Sequence, residues 1–219
     1  MTIDAPAAHY RAMQTAGVSA LLVRPVFAAA NVFAGAVEGL FALTGLSAEI
    51  LADRDARITA IQLRDAWLGL ARASGIGHIA LEVAAATPPG AFGIVEYVCR
   101  SAPTIGEALA RWVRYLNLLD EVVEVALVSS PDDDTVALEV VVESPTPSGH
   151  AHELCFALVT AQCRELTGGR FAPRRVELTH APANPAPYQQ FFGCPVQVGA
   201  ERCRLVMPAR AMQLPVASA

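Results

Sequence analysis

Hydrophobic positions in the first half of the chain recur at helical spacing. A helix is expected to begin at Pro25, a residue suited to the first helical turn, and to end near Gly45. Gly75 is expected to end a second helix in the same way. Residues 1–24 have weak periodicity and predict an arm or a loosely docked helix. The predicted elements of this half are helices at 25–43 and 61–73 and a helix or an extended piece at 78–86.

After the Pro-Pro-Gly turn at 88–90 the pattern changes to shorter runs. Residues 92–99 combine aromatic and β-branched side chains, which favours a strand. Thr104 and Glu107 have the spacing of a capping box, so a helix is expected to begin there. Residues 123–142 alternate apolar and polar positions on both sides of a Pro-Asp-Asp-Asp turn, the clearest hairpin pattern in the chain. One face of this hairpin should cover a core while the other, partly charged, faces water.

The last third completes an α+β pattern without an internal repeat. Its predicted elements are a loop at 144–149, a helix at 150–167, a strand at 176–180, a helical turn at 188–192 and short strands at 195–198 and 204–207. We therefore predict a helical N-terminal layer packed on a mixed or antiparallel β-sheet with crossing helices. Residues 1–44 are expected to form an N-terminal arm and helix, and residues 45–219 the main domain.

Composition narrows the functional classes. The chain has 219 residues, of which 53% are hydrophobic and 17% charged, with a net charge of -5. Such apolar content excludes intrinsic disorder. All 16 basic residues are arginine and none form a run, so the chain lacks the basic face that duplex binding needs.

Residues 26–46 are the one stretch with the apolar character of a targeting or membrane segment. Asn31, Glu38 and Thr44 interrupt it, and it begins too far from the N-terminus for a signal peptide. A packed helix is therefore favoured over membrane insertion or export. Five cysteines without a Cys-x-x-Cys pair favour reduced thiols and a cytoplasmic protein.

Candidate chemical motifs are weak. His150 and His152 lie two apart on a predicted helix and point about 200° apart, so they cannot share a metal ion. We interpret the segment from His150 to Glu153 as a solvated helix start. Cys99 ends a predicted strand, but a buried structural thiol is favoured over a nucleophile. Neither a dinucleotide loop nor a phosphate loop is present, so we predict no catalytic residue, no metal and no cofactor.

Aromatic residues on the predicted elements would meet across the interface between helices and sheet. They would either line an apolar pocket or simply form the core, and the core is favoured for any one of them. The candidate pocket residues are Trp67, Phe92, Tyr97, Trp112, Tyr115 and Phe156.

From Gly45 onward, the order of motifs resembles one branch of AraC-type transcription regulators, in their arabinose-binding-type N-terminal domain. Residues 51–58 are similar to that family's L-x-D-x-D-x-R-I segment, and residues 92–109 to its G-L-x-x-Y segment followed by S-P-T-L-G-E-A-L. Residues 114–119, 176–180 and 188–196 correspond to R-Y-x-x-L-L, V-x-x-x-H and Y-x-x-x-F-G-x-P-V. The resemblance covers about 170 residues in the family's order.

The resemblance implies a cytoplasmic sensor that forms a homodimer and binds an apolar or amphipathic small molecule. DNA would be bound only through a separate C-terminal helix-turn-helix domain, which these residues lack. Arg111 or Arg114 would be available to a carboxylate of the ligand, although a solvated helix face is the favoured interpretation of both. Two alternatives are a small cytosolic enzyme that uses Cys99 or His180 and a dimerisation module without a ligand.

Overall fold

A computed structural model describes residues 17–142 and 149–217. The described residues form nine α-helices, a two-stranded sheet and a five-stranded sheet. This confirms the α+β class. Residues 1–16 of the predicted arm and residues 144–148 of the predicted loop lie outside the described residues.

Five helices form the N-terminal part of the described chain. They are α1 (Arg24–Ala29), α2 (Val37–Thr44), α3 (Ala48–Ala52), α4 (Ala60–Ser74) and α5 (Ile79–Ala86). The predicted helix at 25–43 is interrupted by a π-helical stretch and by Gly35, whose φ of 57° is left-handed. Gly45 ends α2 as predicted, also in the left-handed region. Glycine adopts this conformation without the steric cost that a Cβ imposes.

Helix α4 carries a complete capping box. The Thr59 hydroxyl accepts from the Gln62 backbone N–H at 3.1 Å, and the Gln62 side-chain oxygen accepts from the Thr59 N–H at 2.9 Å. The two bonds satisfy donors that a helix start otherwise leaves unpaired. The inner face of α4 buries Leu63, Trp67 and Leu70. The helix predicted at 61–73 is therefore confirmed, and its caps fix the position of Trp67.

The strand predicted at 92–99 is wrong, because this segment contains helix α6 (Ile94–Arg100). Phe92, Val95 and Cys99 are buried, whereas Ile94 and Tyr97 are 69% and 67% exposed. This is helical spacing, and burial of one helical face outweighs the β-propensity of the individual side chains. Helix α7 (Ile105–Tyr115) follows, and Thr104 caps it by accepting from the Glu107 N–H.

The predicted hairpin is confirmed as β3 (Glu124–Ser130) and β4 (Thr135–Val142), with Leu127 opposite Leu138. The remaining strands of the large sheet are β5 (Arg175–Leu178), β6 (Val196–Val198) and β7 (Arg204–Pro208). The strand order is β3-β4-β7-β5-β6, and only β5 and β6 pair in parallel. The small sheet pairs β1 (Val18–Ser19) with β2 (Arg57–Ile58).

The charged face of the hairpin is less exposed than its pattern predicts. Glu139 on β4 is only 5% exposed. Its carboxylate accepts hydrogen bonds from Arg202 at 2.7 Å and from Arg204 at 2.6 Å. The aliphatic stems of such arginines cover neighbouring surface while their charged ends remain hydrated. The guanidinium groups, not water alone, therefore solvate this carboxylate.

Helix α8 (His150–Leu166) packs on α5, and the short α9 (Ala186–Phe192) also packs against α8. Phe156 and Ala157 of α8 are completely buried. One core cluster joins residues from Val18 on the first strand to Ala211 near the C-terminal end. Buried residues between Val18 and Leu40 thus belong to the same packed core as the sheet.

Candidate functional site

A cavity of about 110 Å³ lies between the helices and the β3–β4 hairpin. Helices α4, α6, α7 and α8 each contribute side chains to its wall. The apolar lining includes Leu63, Trp67, Phe92, Val95, Trp112 and Leu158. Apolar walls with a few polar groups are typical of pockets for small molecules.

The polar part of the lining includes two acidic residues, Glu96 and Asp120. Asp120 Oδ1 accepts from the backbone N–H groups of Val122 at 2.8 Å and Val123 at 3.2 Å. Burial raises the pKa of Asp120, and these two hydrogen bonds only partly oppose that effect. His152 and Gln162 complete the polar lining along α8.

Three of the candidate pocket residues lie together in the cavity wall. Trp67 comes from α4, Phe92 precedes α6, and Trp112 comes from α7. Trp67 is 1% exposed and Phe92 is 7% exposed. The fold thus brings together aromatic rings from three separate elements around one cavity.

The other three aromatic candidates and Arg111 lie outside the described lining. Tyr97 is exposed, since α6 turns it away from the face that carries Val95. Phe156 is completely buried in the main core, and Tyr115 packs against the cluster of Phe92, Val95 and Leu119. Arg111 donates to the Val98 carbonyl at 3.1 Å and to the Ser101 hydroxyl at 3.0 Å.

Sequence reasoning missed the face that α8 presents to the cavity. Ala151, Cys155, Leu158 and Gln162 line the wall at intervals of three or four residues. This helical spacing is visible in the sequence. The cavity-facing positions of α8 were not predicted, because the start of the helix was interpreted as solvated.

That interpretation of His150 to Glu153 as a solvated helix start is wrong. His150 is 9% exposed, His152 is 5% exposed and Glu153 is 1% exposed. The first turn of α8 faces Trp67, whose ring centroid lies 5.9 Å from that of His150. Polar residues at the start of a helix remain in water only if no other element covers them, and here several do.

Glu153 is the centre of a buried hydrogen-bond network. Its Oε2 lies 3.1 Å from His150 Nδ1, and its Oε1 lies 2.6 Å from His180 Nε2. The Tyr188 hydroxyl donates to the same Oε1 at 3.0 Å and lies 3.1 Å from the Gly77 carbonyl. Burial by itself raises the pKa of Glu153, but the hydrogen bonds from His150 and His180 outweigh it and leave this pKa lowered. The network joins α8, the end of β5 and α9.

The environments of Cys99 and Cys163 disfavour the reactive thiolate. Burial raises the pKa of Cys99 to about 11 and that of Cys163 to about 12. A raised pKa disfavours the thiolate, which is the reactive form. Cys99 packs with Ala102 and Ala108, whereas His180 binds Glu153 in a different part of the molecule.

Two further features bear on the functional class. Across the described ranges 17–142 and 149–217, no group of three or more His, Cys, Asp or Glu side chains is placed to hold a metal ion. Over the same ranges, none of the helices combines the length and the apolar character needed to cross a membrane.

Comparisons with known proteins identify the family. No curated protein matches the chain. The solved structure of the transcriptional regulator CdpR from Pseudomonas aeruginosa has a similar fold, with a TM-score of 0.58 and 18% identity. The match covers 82% of this chain and 56% of that one, so the chain spans little more than half the length of the regulator.

The family model for the arabinose-binding domain of AraC transcription regulators, N-terminal, matches residues 35–216. This range contains α2 to α9, the complete five-stranded sheet and nearly all of the cavity wall. The chain therefore belongs to the family of arabinose-binding-type N-terminal domains of AraC transcription regulators.

Proposed function

We propose that the chain is the ligand-sensing and dimerisation domain of an AraC-type regulator, which controls DNA binding by a separate C-terminal helix-turn-helix domain. The observation that carries the proposal is the cavity of about 110 Å³ with its mainly apolar wall. An empty apolar cavity reduces stability, because its wall lacks contacts on one side. A small apolar or amphipathic effector would restore those contacts.

The cavity also has the connections that a sensor requires. Its wall is built from four helices and the hairpin, so an occupant touches several elements at once. A ligand shifts a conformational equilibrium only through contacts that differ between the two states. Contacts to α6, α7 and α8 together would bias their relative arrangement, and the outer surface of α6 would carry that change to the molecular surface.

Filling the cavity is expected to abolish effector binding. Ala151 lies in the cavity wall and is half-buried, so the Ala151→Phe substitution would place a ring in the ligand volume. We expect at least a tenfold loss of affinity, equivalent to about 1.4 kcal/mol. The measurement is isothermal titration calorimetry with hits from a thermal-shift screen of small amphipathic molecules.

The matched control for this prediction is Ala110→Phe, an exposed site on α7 outside the lining. This variant should bind the same ligands as the unmodified chain. Equal affinities of the chain, Ala151→Phe and Ala110→Phe would place the binding site elsewhere and contradict the proposal. A screen without any hit would favour the alternative of a dimerisation module without a ligand.

Exposed apolar side chains support dimerisation. Ile94 and Tyr97 on α6 and the nearby Leu118 are all more than half exposed, as is Val32 in the helical layer. Apolar side chains grouped on a surface are typical of interaction sites.

We expect sedimentation equilibrium to give the mass of a dimer for the unmodified chain and the mass of a monomer for the double substitution Ile94→Glu with Tyr97→Glu. A monomer mass for the unmodified chain at all concentrations would contradict dimerisation without affecting the ligand proposal.

A further inference from the structure

One side chain in the cavity wall is not satisfied by the protein. Glu96 lies in the first turn of α6 and is 4% exposed. Its Oε1 accepts from the Gly90 backbone N–H at 2.7 Å. Its Oε2 is buried and has no hydrogen-bond partner among the described residues. Buried polar atoms are nearly always paired in folded proteins, so an unpaired carboxylate oxygen in a cavity wall points to a missing donor.

The surrounding charges do not supply that donor. Arg100 is one helical turn away, and its Nη1 lies 3.7 Å from Glu96 Oε1, too far for a hydrogen bond. The same guanidinium donates to Glu165, at 2.5 Å from Nη2. One arginine therefore faces two carboxylates, which leaves a net negative charge beside the cavity.

The rest of the wall adds negative charge instead of balancing it. Asp120 is the second acidic residue of the lining, and no arginine is among the described residues that form it. The chain contains no lysine. A ligand carboxylate would enter a wall with two acids and His152 but no arginine or lysine, whereas a ligand cation would meet two carboxyl side chains of opposite sign.

We infer that the effector is a small amine with an apolar body, bound as the ammonium ion. Its N–H group donates to Glu96 Oε2, and its apolar body lies against Trp67, Phe92 and Trp112 in the same wall. The inference rests on the proposed sensing function and names the ligand class for that site. It replaces the hypothesis of a ligand carboxylate held by Arg111 or Arg114, because neither arginine lies in the cavity wall.

Three probes with one apolar body and different head groups test the charge preference. They are 2-phenylethylamine, 2-phenylethanol and 3-phenylpropanoate, each titrated into the full chain by calorimetry at neutral pH. A phenyl ring is chosen as a small aromatic body, because the cavity of about 110 Å³ is of the same order as the apolar cavity of roughly 150 Å³ that holds benzene. The amine is expected to bind at least about tenfold more tightly than the carboxylate, because only the amine can donate a charge-assisted hydrogen bond to Glu96.

A substitution of Glu96 tests the same contact from the protein side. The Glu96→Gln variant keeps an oxygen for the Gly90 N–H and loses the charge. We expect the affinity for the amine to fall by about tenfold or more, while that for the alcohol changes by less than about threefold. Glu38→Gln, at an exposed position of α2, is the matched control and should leave all affinities unchanged.

The outcomes separate this inference from the proposed function. Equal or tighter binding of the carboxylate or the alcohol by the unmodified chain overturns the inference but leaves a ligand-binding cavity. An undiminished amine affinity in Glu96→Gln does the same. If none of the three probes binds, the inference is overturned, and the wider screen with Ala151→Phe decides the proposed function separately. The comparison of head groups uses only the unmodified chain, so it still tests the inference if Glu96→Gln fails to fold.

Discussion

Replacing Glu153 by alanine is expected to lower the free energy of unfolding by about 3–5 kcal/mol, the cost of removing one partner from a buried ionic network. The carboxylate is 1% exposed and receives hydrogen bonds from three side chains. Its loss leaves His150, His180 and the Tyr188 hydroxyl without their shared acceptor. Urea unfolding followed by circular dichroism measures the change.

The position of the network explains why the effect is large. Glu153 lies on α8, His180 follows β5, and Tyr188 lies on α9, so one carboxylate connects elements that are distant in the chain. The Tyr188 hydroxyl also lies 3.1 Å from the Gly77 carbonyl near the start of α5. Glu165→Ala is the matched control, because Glu165 is on the same helix and paired with Arg100 but half-exposed. Its loss should cost at most about 1 kcal/mol, as for surface ion pairs.

The stabilisation by Glu153 should depend on pH in a defined direction. The pKa of Glu153 in the folded protein is lowered from its usual value of 4.5, so folding favours the ionised form. The resulting stabilisation is complete above pH 4.5 and is lost as the pH falls through the lower folded pKa. The difference in unfolding free energy between the unmodified chain and Glu153→Gln should therefore shrink in acid. A difference that grows as the pH falls would contradict this role of the carboxylate.

Replacing Trp67 by alanine is expected to lower the free energy of unfolding by about 3–5 kcal/mol, as for other fully buried aromatic residues. Trp67 is 1% exposed, its ring lines the cavity, and the ring centroid lies 5.9 Å from that of His150. Removing the indole therefore enlarges an existing cavity instead of creating a space that neighbours can fill by collapsing. The same urea titration measures the loss.

Two further substitutions test the explanation for Trp67. Trp67→Phe keeps an aromatic ring in the wall and should cost less than Trp67→Ala. Trp112 also lines the cavity but is only half-buried, so Trp112→Ala should cost less than Trp67→Ala as well. Equal costs for the two alanine variants would mean that burial at Trp67 does not determine the effect.

Local patterns predicted most of the secondary structure. The cap residue Thr104 and the terminating glycines Gly45 and Gly75 mark helix ends through bonds and dihedral angles that involve only a few neighbouring residues. The hairpin follows from alternation around a turn, which is also local. The prediction was wrong at 92–99 because the individual side chains favour a strand, while the burial of Val95 and Cys99 on one face requires α6.

Local sequence patterns predicted fewer of the residues that line the candidate site. The expected meeting of predicted elements gave Trp67, Phe92 and Trp112 as candidates, and the structure places these three in one wall. The acidic side chains of the wall and the cavity face of α8 were missed. Whether a glutamate such as Glu96 or Glu153 is solvated or buried depends on which element covers it, and that element lies far away in the chain.

The sequence by itself thus determined the α+β class, the principal helix ends, the hairpin and the family, since each depends on local pattern or on the order of motifs. Only the tertiary structure decided that the start of α8 is buried, that α6 is a helix and that the arginines of α7 lie outside the cavity. The physical reason is that burial and charge pairing are properties of contacts between distant residues. Those contacts place the unpaired oxygen of Glu96 in an apolar wall and define the chemistry proposed for the ligand.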